Sequence, residues 1–163
     1  MENSIHLRPA RMCDVTGIEE LVNGYAAERL MLPRTAESIE LALEDFVVAT
    51  DAHGHVLACG ALKMYSPSLA EVASVAVARG MHGRGLGTMV VTEVEQLARV
   101  RGVSELFAIT LTPQFFDSLG YERSDRSLYP EKLRRDCATC PRKFGCPEAC
   151  MRRAMETEFR AAA

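Results

Sequence analysis

Long apolar runs are missing from this 163-residue chain. No stretch approaches the ~20 apolar residues that span a bilayer, and Glu2, His6 and Arg8 place polar groups where a secretory signal would carry its apolar segment. The chain therefore reads as soluble and cytoplasmic, with no membrane partner. An excess of basic charge is missing too. The formal net charge of -3 gives no general attraction for nucleic acid, so no nucleic-acid partner is expected. The sum hides a contrast, because Glu122 to Arg153 holds nine Lys or Arg against five Asp or Glu. A solvated surface accounts for that excess more readily than a dedicated anion patch. Internal repeats and low-complexity linkers are absent as well. With 48% apolar composition, the chain has material for one core plus an appendage: a domain over residues 1–130 and a Cys-rich extension over residues 131–163.

What is present reads as alternating sheet and helix. The segments "IHLR", "DFVVAT", "HVLACGALKMY", "AEVASVAV" and "ELFAIT" have the short apolar pattern of strands. The third and fourth are separated only by "SPSL", which makes them a hairpin. Helical spacing places Val15, Ile18, Leu21, Val22 and Tyr25 on one face, with Asp14 as the expected cap. Thr35 caps a second helix over "TAESIELALEDF", and Leu86, Val90, Val94 and Leu97 mark a long third helix stopped by Gly102. A short helix around "PQFFDSL" and a strand after Gly120 complete the series. The fold class is α+β with a mixed sheet, and the closing "EACMRRAMETEFRAAA" has helical propensity.

The segment "SVAVARGMHGRGLGTMV", Ser74 to Val90, leads a valine-rich strand through closely spaced glycines into the long helix. A P-loop needs Lys and then Ser or Thr after its glycines, but Leu86 follows Gly85. A dinucleotide fingerprint begun at Gly83 needs glycine where Thr88 stands. What remains is common to such loops: close backbone approach and the free amides of a helix's first turn, which suit a phosphorylated ligand. Arg84 adds a charged donor, and His82 and Thr88 add neutral ones. A purely structural glycine turn accounts for the pattern about equally well.

The string "HGRGLG" after "SVAV" resembles the pyrophosphate loop of the GNAT acetyltransferases, which runs Gln or Arg, two residues, Gly, one residue, then Gly or Ala. His82 replaces the usual first residue, while Gly85 and Gly87 match. The resemblance implies a mostly antiparallel central sheet flanked by helices, with acetyl-CoA as co-substrate. Its pyrophosphate would lie on the amides of Gly83, Arg84, Gly85, Leu86, Gly87 and Thr88, beside His82. It also implies a bulged strand whose amides near Val75, Ala76 and Val77 meet pantetheine. A closer resemblance, over roughly Ile5 to Met151, is to the N-acetylglutamate synthases of arginine biosynthesis. "RPARMCDVTGIEELV", "LPRTAESIE", "CGAL", "LAEVASVAV", "LFAIT", "FFDSLGY" and "LYPEKLRRDCATC" carry it. Dimerisation is a tendency of that family.

For such a transfer the α-ammonium must lose a proton, the amine must attack a thioester carbon and the oxyanion must be stabilised. Glu71, at the start of the central strand, is the candidate base, with a plain strand-end charge as the alternative. The Val75 amide is the candidate oxyanion donor. Cys59 reads as a small buried strand residue rather than a nucleophile. Many GNAT enzymes place a Tyr acid where Phe116 stands, and Tyr121 is read as core. A dicarboxylate acceptor needs cations, and Arg34, with Lys63 next, is the candidate for glutamate.

Cys137, Cys140, Cys146 and Cys150 supply four thiols in one short segment, enough for structural zinc. An iron–sulfur cluster or metal-free cysteines are the alternatives. Two rival functions stay open: a GNAT enzyme for another amine, and a non-catalytic acetyl-CoA sensor or metal-tail module that binds protein or nucleic acid.

Overall fold

The computed structural model describes residues 4–140, 142 and 145–156. Seven strands form the sheet: β1 (His6–Pro9), β2 (Phe46–Thr50), β3 (Val56–Met64), β4 (Leu69–Val77), β5 (Glu105–Thr110), β6 (Glu122–Ser124) and β7 (Ala149–Ala154). Their order is β1-β2-β3-β4-β5-β7-β6. β4 runs parallel to β5, whereas the β1–β2, β2–β3, β5–β7 and β6–β7 pairs are antiparallel. The sheet is thus mixed and mostly antiparallel, and helices flank it, as the α+β expectation held. Helices α1 (Val15–Ala27), α2 (Ala36–Leu41), α3 (Leu86–Val100) and α4 (Pro113–Ser118) occur where the sequence pattern places them, whereas α5 (Pro130–Lys132), which continues into a π turn over Leu133–Cys137, was not expected. Among the described residues no helix is long and apolar enough to cross a membrane.

The chain divides into two compact units, one of Met1–Lys63 with Val72–Leu97 and one of Met64–Glu71 with Ala98–Ala163. The first buries the apolar stripe of α1, Val15, Ile18 and Val22, together with Ile39, Phe46, Val48, Cys59, Ala61 and Ala76. Gly60 on β3 is a close-approach site: a Cβ there would stand 2.6 Å from Val90 Cγ1 of α3. Thr35 caps α2 by accepting from the Ser38 amide. Asp14 departs from the expected capping role. Its side chain makes no cap bond to α1; it accepts a two-pronged bond from Arg8 at 2.6 and 2.9 Å and a third from the Arg11 amide at 2.7 Å. A buried carboxylate gains more from a guanidinium fork than from one amide, and the fork ties β1 to the start of α1.

In the second unit Phe107 stacks on Tyr129 with centroids 4.1 Å apart, and Cys150 completes that cluster. Tyr121 is buried edge-on to Phe116, the core placement read from the sequence. The terminal segment is a correction. Its described part is not a helix but strand β7, registered on one side from Glu105↔Ala154 to Thr110↔Ala149 and on the other from Glu122↔Arg152 to Ser124↔Cys150. Ladders on both sides satisfy its backbone and override the helical preference of Ala, Met and Arg. Residues 157–163 of the expected helix lie outside the described residues.

Burial works against the Asp14 charge, yet the Arg8 bonds win and hold its carboxyl below the ordinary 3.8. A depressed folded value means stability that is present above 3.8 and lost as pH falls through the folded value. Asp14→Asn is expected to cost about 2 kcal/mol near neutral pH. In thermal melts its deficit against wild type should shrink as pH falls below 3.8.

Candidate active site

The first unit carries the glycine loop. After β4 the chain makes a 3-10 turn over Arg79–Met81 and enters α3 at Leu86. Gly83 and Gly85 take φ of 76° and 78°, left-handed values that L side chains adopt at a cost. Leu86 is buried and anchors the helix start, while His82, Gly83, Arg84, Gly85 and Thr88 are exposed and Gly87 is half-buried. The Met89 amide donates to the Gly85 carbonyl at 3.0 Å. In a helix the preceding first-turn amides, here those of Leu86, Gly87 and Thr88, have no carbonyl a turn earlier to meet. The loop therefore presents main-chain donors at the positive end of a 15-residue helix.

His82, the departure from the family pattern, has a partner of its own. Tyr25 Oη lies 2.8 Å from His82 Nε2 and donates to the Val77 carbonyl at 2.5 Å. Arg79 stacks over the Tyr25 ring and pairs with Glu28. Tyr25 thus ties α1 to the end of β4 and to the loop. Sequence reading placed Tyr25 on the apolar face of α1 and missed this bond, because the register of α1 against β4 is a tertiary fact.

Within β4, Ser74 holds φ of 53°. That is a local irregularity just before Val75, in the strand where the family resemblance implied a bulge. The Cys59 thiol, fully buried on β3, donates to the Ser74 carbonyl at 3.4 Å. Burial pushes that thiol up to about 12, so it is no thiolate nucleophile near neutral pH. Val75 and Val77 are half-buried and Ala76 is buried.

In the second unit Glu71 is buried within a network of four polar side chains. Lys132 Nζ donates to Glu71 Oε1 at 3.0 Å and to Asp136 Oδ2 at 2.8 Å. The Tyr65 hydroxyl lies 3.0 Å from Glu71 Oε2 and 3.1 Å from the same Asp136 oxygen. Burial alone would lower the lysine, but the charge of Glu71 and the Asp136 bond raise it above 10.5, so it stays an ammonium. Sequence reading found Glu71 and missed Tyr65, Lys132 and Asp136. The i,i+4 spacing of Lys132 and Asp136 in "PEKLRRD" was the available signal.

Arg34 and Lys63 both lie in the first unit. Arg34 donates through Nε to Ser38 Oγ and through Nη2 to the Ser38 carbonyl, both at 3.1 Å, and its guanidinium sits over the Phe46 ring. Lys63 is half-buried near the end of β3. The expected zinc site is not supported: among the described residues no group of three or more His, Cys, Asp or Glu is placed to hold a metal. The four thiols start from different local structures, with the Cys140 amide donating to the Cys137 carbonyl at 3.3 Å. Cys137 ends the π turn, Arg126 hydrogen-bonds to Cys146 in a loop, and Cys150 is packed into the aromatic cluster from β7.

A model of the Acetyltransferase (GNAT) family matches residues 17–121, which takes in the irregular strand, the glycine loop and α3. The chain belongs to this family. It is an acetyl-CoA-dependent GNAT N-acetyltransferase. An uncharacterised N-acetyltransferase of Chlorobaculum tepidum is 37% identical over 145 residues, 89% of this chain and 93% of the relative. An amino-acid acetyltransferase of Mycobacterium tuberculosis is 34% identical, over 71% of this chain and 67% of the relative. Among solved structures, N-acetylglutamate synthase from Neisseria gonorrhoeae, complexed with coenzyme A and N-acetyl-glutamate, superposes with a TM-score of 0.83 at 25% identity. That match covers 96% of this chain and 36% of the gonococcal chain. A Mycobacterium tuberculosis protein solved in complex with CoA gives 0.80 at 27% identity, covering 93% and 99%.

A Cβ on Gly85 would meet nothing within 4 Å, so substitution there acts through its φ of 78° alone. Gly85→Ala is expected to weaken CoA binding about tenfold, the ~1–2 kcal/mol of forcing an L residue left-handed. Titration calorimetry reads the loss; an unchanged thermal melt would place it in the loop.

Proposed function

We propose that this GNAT enzyme transfers the acetyl group of acetyl-CoA to the α-amino group of L-glutamate. The observation that carries this reading is the likeness to a synthase solved with coenzyme A and N-acetyl-glutamate, at 25% identity over 96% of this chain, together with relatives named amino-acid acetyltransferase at 34% and 26% identity. The pyrophosphate lies on the main-chain donors of Gly83 to Thr88, with Arg84 and His82 alongside, and pantetheine pairs with β4 at Val75, Ala76 and Val77.

Glu71 accepts the proton of the α-ammonium, which frees the nitrogen lone pair to attack the thioester carbon. The Val75 amide donates to the oxyanion; the left-handed Ser74 before it, fixed by the Cys59 thiol, sets the direction of that peptide. The thiolate then leaves. With a thiol value near 8.5 it is a tolerable leaving group, and water suffices to protonate it where Phe116 stands in place of the usual Tyr. Arg34 and Lys63 pair with the carboxylates of glutamate. Arg34 is already oriented by Ser38 and Phe46, so its fork is pre-set and little side-chain entropy is lost on binding.

Release of free CoA against a panel of amino acids tests the acceptor. Glutamate should be the best substrate, and Arg34→Ala should raise its KM by at least about tenfold, the scale of one lost charge-assisted bond. Inactivity with glutamate beside turnover of another amine would refute the assignment.

A further inference from the structure

The Tyr65 hydroxyl stands between two carboxylates, 3.0 Å from Glu71 Oε2 and 3.1 Å from Asp136 Oδ2. A phenol has one proton and donates it to one acceptor at a time. With both carboxylates ionised it donates to one of them at a time, and it accepts from an oxygen only when that oxygen has taken up a proton. Glu71 is meanwhile held by the Lys132 ammonium at 3.0 Å. Asp136 is held by the same ammonium at 2.8 Å, so both carboxylates are stabilised in the ionised form and neither retains a proton taken from a substrate; exposure to water decides which one releases it. Asp136 is the more exposed of the two carboxylates, 16% against 6%.

The geometry points to a proton relay in which Tyr65 passes the proton captured by Glu71 on to Asp136, with Lys132 fixing both ends. This rests on Glu71 being the base of the proposed reaction. In the step, the proton on Glu71 Oε2 moves to the Tyr65 oxygen while the Tyr65 proton moves to Asp136 Oδ2. Glu71 ends ionised, Tyr65 ends neutral as it began, and Asp136 ends protonated and returns the proton to water. The two transfers occur together. A tyrosinate between them is disfavoured, because burial and the charges of Glu71 and Asp136 push the Tyr65 phenol well above its ordinary value. Lys132 bonds to both carboxylates, and the guanidinium of Arg135 lies over the Tyr65 ring. The Cys137 and Cys150 thiols nearby are pushed up by burial and stay neutral. Phe107 packs against Tyr65 at 5.5 Å and fixes the ring. Tyr65 and Asp136 act through Glu71 and are positioning residues.

The test uses the full chain and whichever amine the wild type acetylates, so failure of glutamate as acceptor leaves it intact. Tyr65→Phe keeps the ring packing, and Asp136→Asn keeps the shape. Each should lower kcat about tenfold with KM little changed, the lower end of what a positioned proton transfer supplies. Each should also shift the acid limb of the kcat–pH profile. The double variant should be no slower than the slower single one, because both lie on one route, and Asp136→Glu should recover part of the rate. Matching thermal melts separate this from lost folding. Unchanged kcat in both single variants, or losses that multiply in the double, would overturn the relay. If Glu71→Gln is inactive while Tyr65→Phe and Asp136→Asn run at full rate, the relay fails and the base stands. A full-rate Glu71→Gln would remove both.

Discussion

Gly83 and Gly85 set the constraint on which the first unit depends. With φ of 76° and 78° they turn the chain so that it enters α3 with main-chain N–H groups leading. Buried Leu86 then fixes the helix, and Gly60 lets Val90 of that helix come close to β3. Recognition of a diphosphate by amides depends on backbone path rather than on any one side chain. On the proposed reading, His82 in place of the usual Gln or Arg leaves the main-chain donors intact; in the structure the residue is paired with Tyr25, which pins the Val77 carbonyl at the end of β4.

β4 carries two kinds of chemistry along one strand. At its start Glu71 belongs to a buried ionic network, costly to assemble because each charge leaves water and stable only because every member has a partner. Further along, left-handed Ser74 is held by a thiol bond from Cys59 and precedes Val75. A free cysteine on the strand next to β4 invites the role of nucleophile, but burial keeps Cys59 protonated, and its thiol supports backbone geometry at Ser74.

The fold was legible where local chemistry agreed with tertiary context. The stripe of α1, the Thr35 cap, the hairpin between β3 and β4 and the long α3 all occur where pattern placed them. Sequence failed where long-range partners decide. β7 reads locally as helix and becomes a strand because β5 and β6 take it up from both sides. Asp14 reads as a cap and is claimed by Arg8. The cysteine spacing reads as a metal knuckle, yet one thiol is drawn into an aromatic cluster and another toward Arg126. At the site, glycines and a strand-end glutamate stood out because their residue types are informative alone. Tyr25, Tyr65, Lys132 and Asp136 did not, since their meaning lies in bonds across 52 to 71 residues of chain for Tyr25 to Val77, Lys132 to Glu71 and Tyr65 to Asp136.

A crystal structure with acetyl-CoA tests the central claim most directly. The account predicts pyrophosphate oxygens at about 3 Å from main-chain nitrogens between Gly83 and Thr88, with Gly83 and Gly85 still left-handed. A cofactor held by side chains elsewhere, with this loop unengaged, would contradict it.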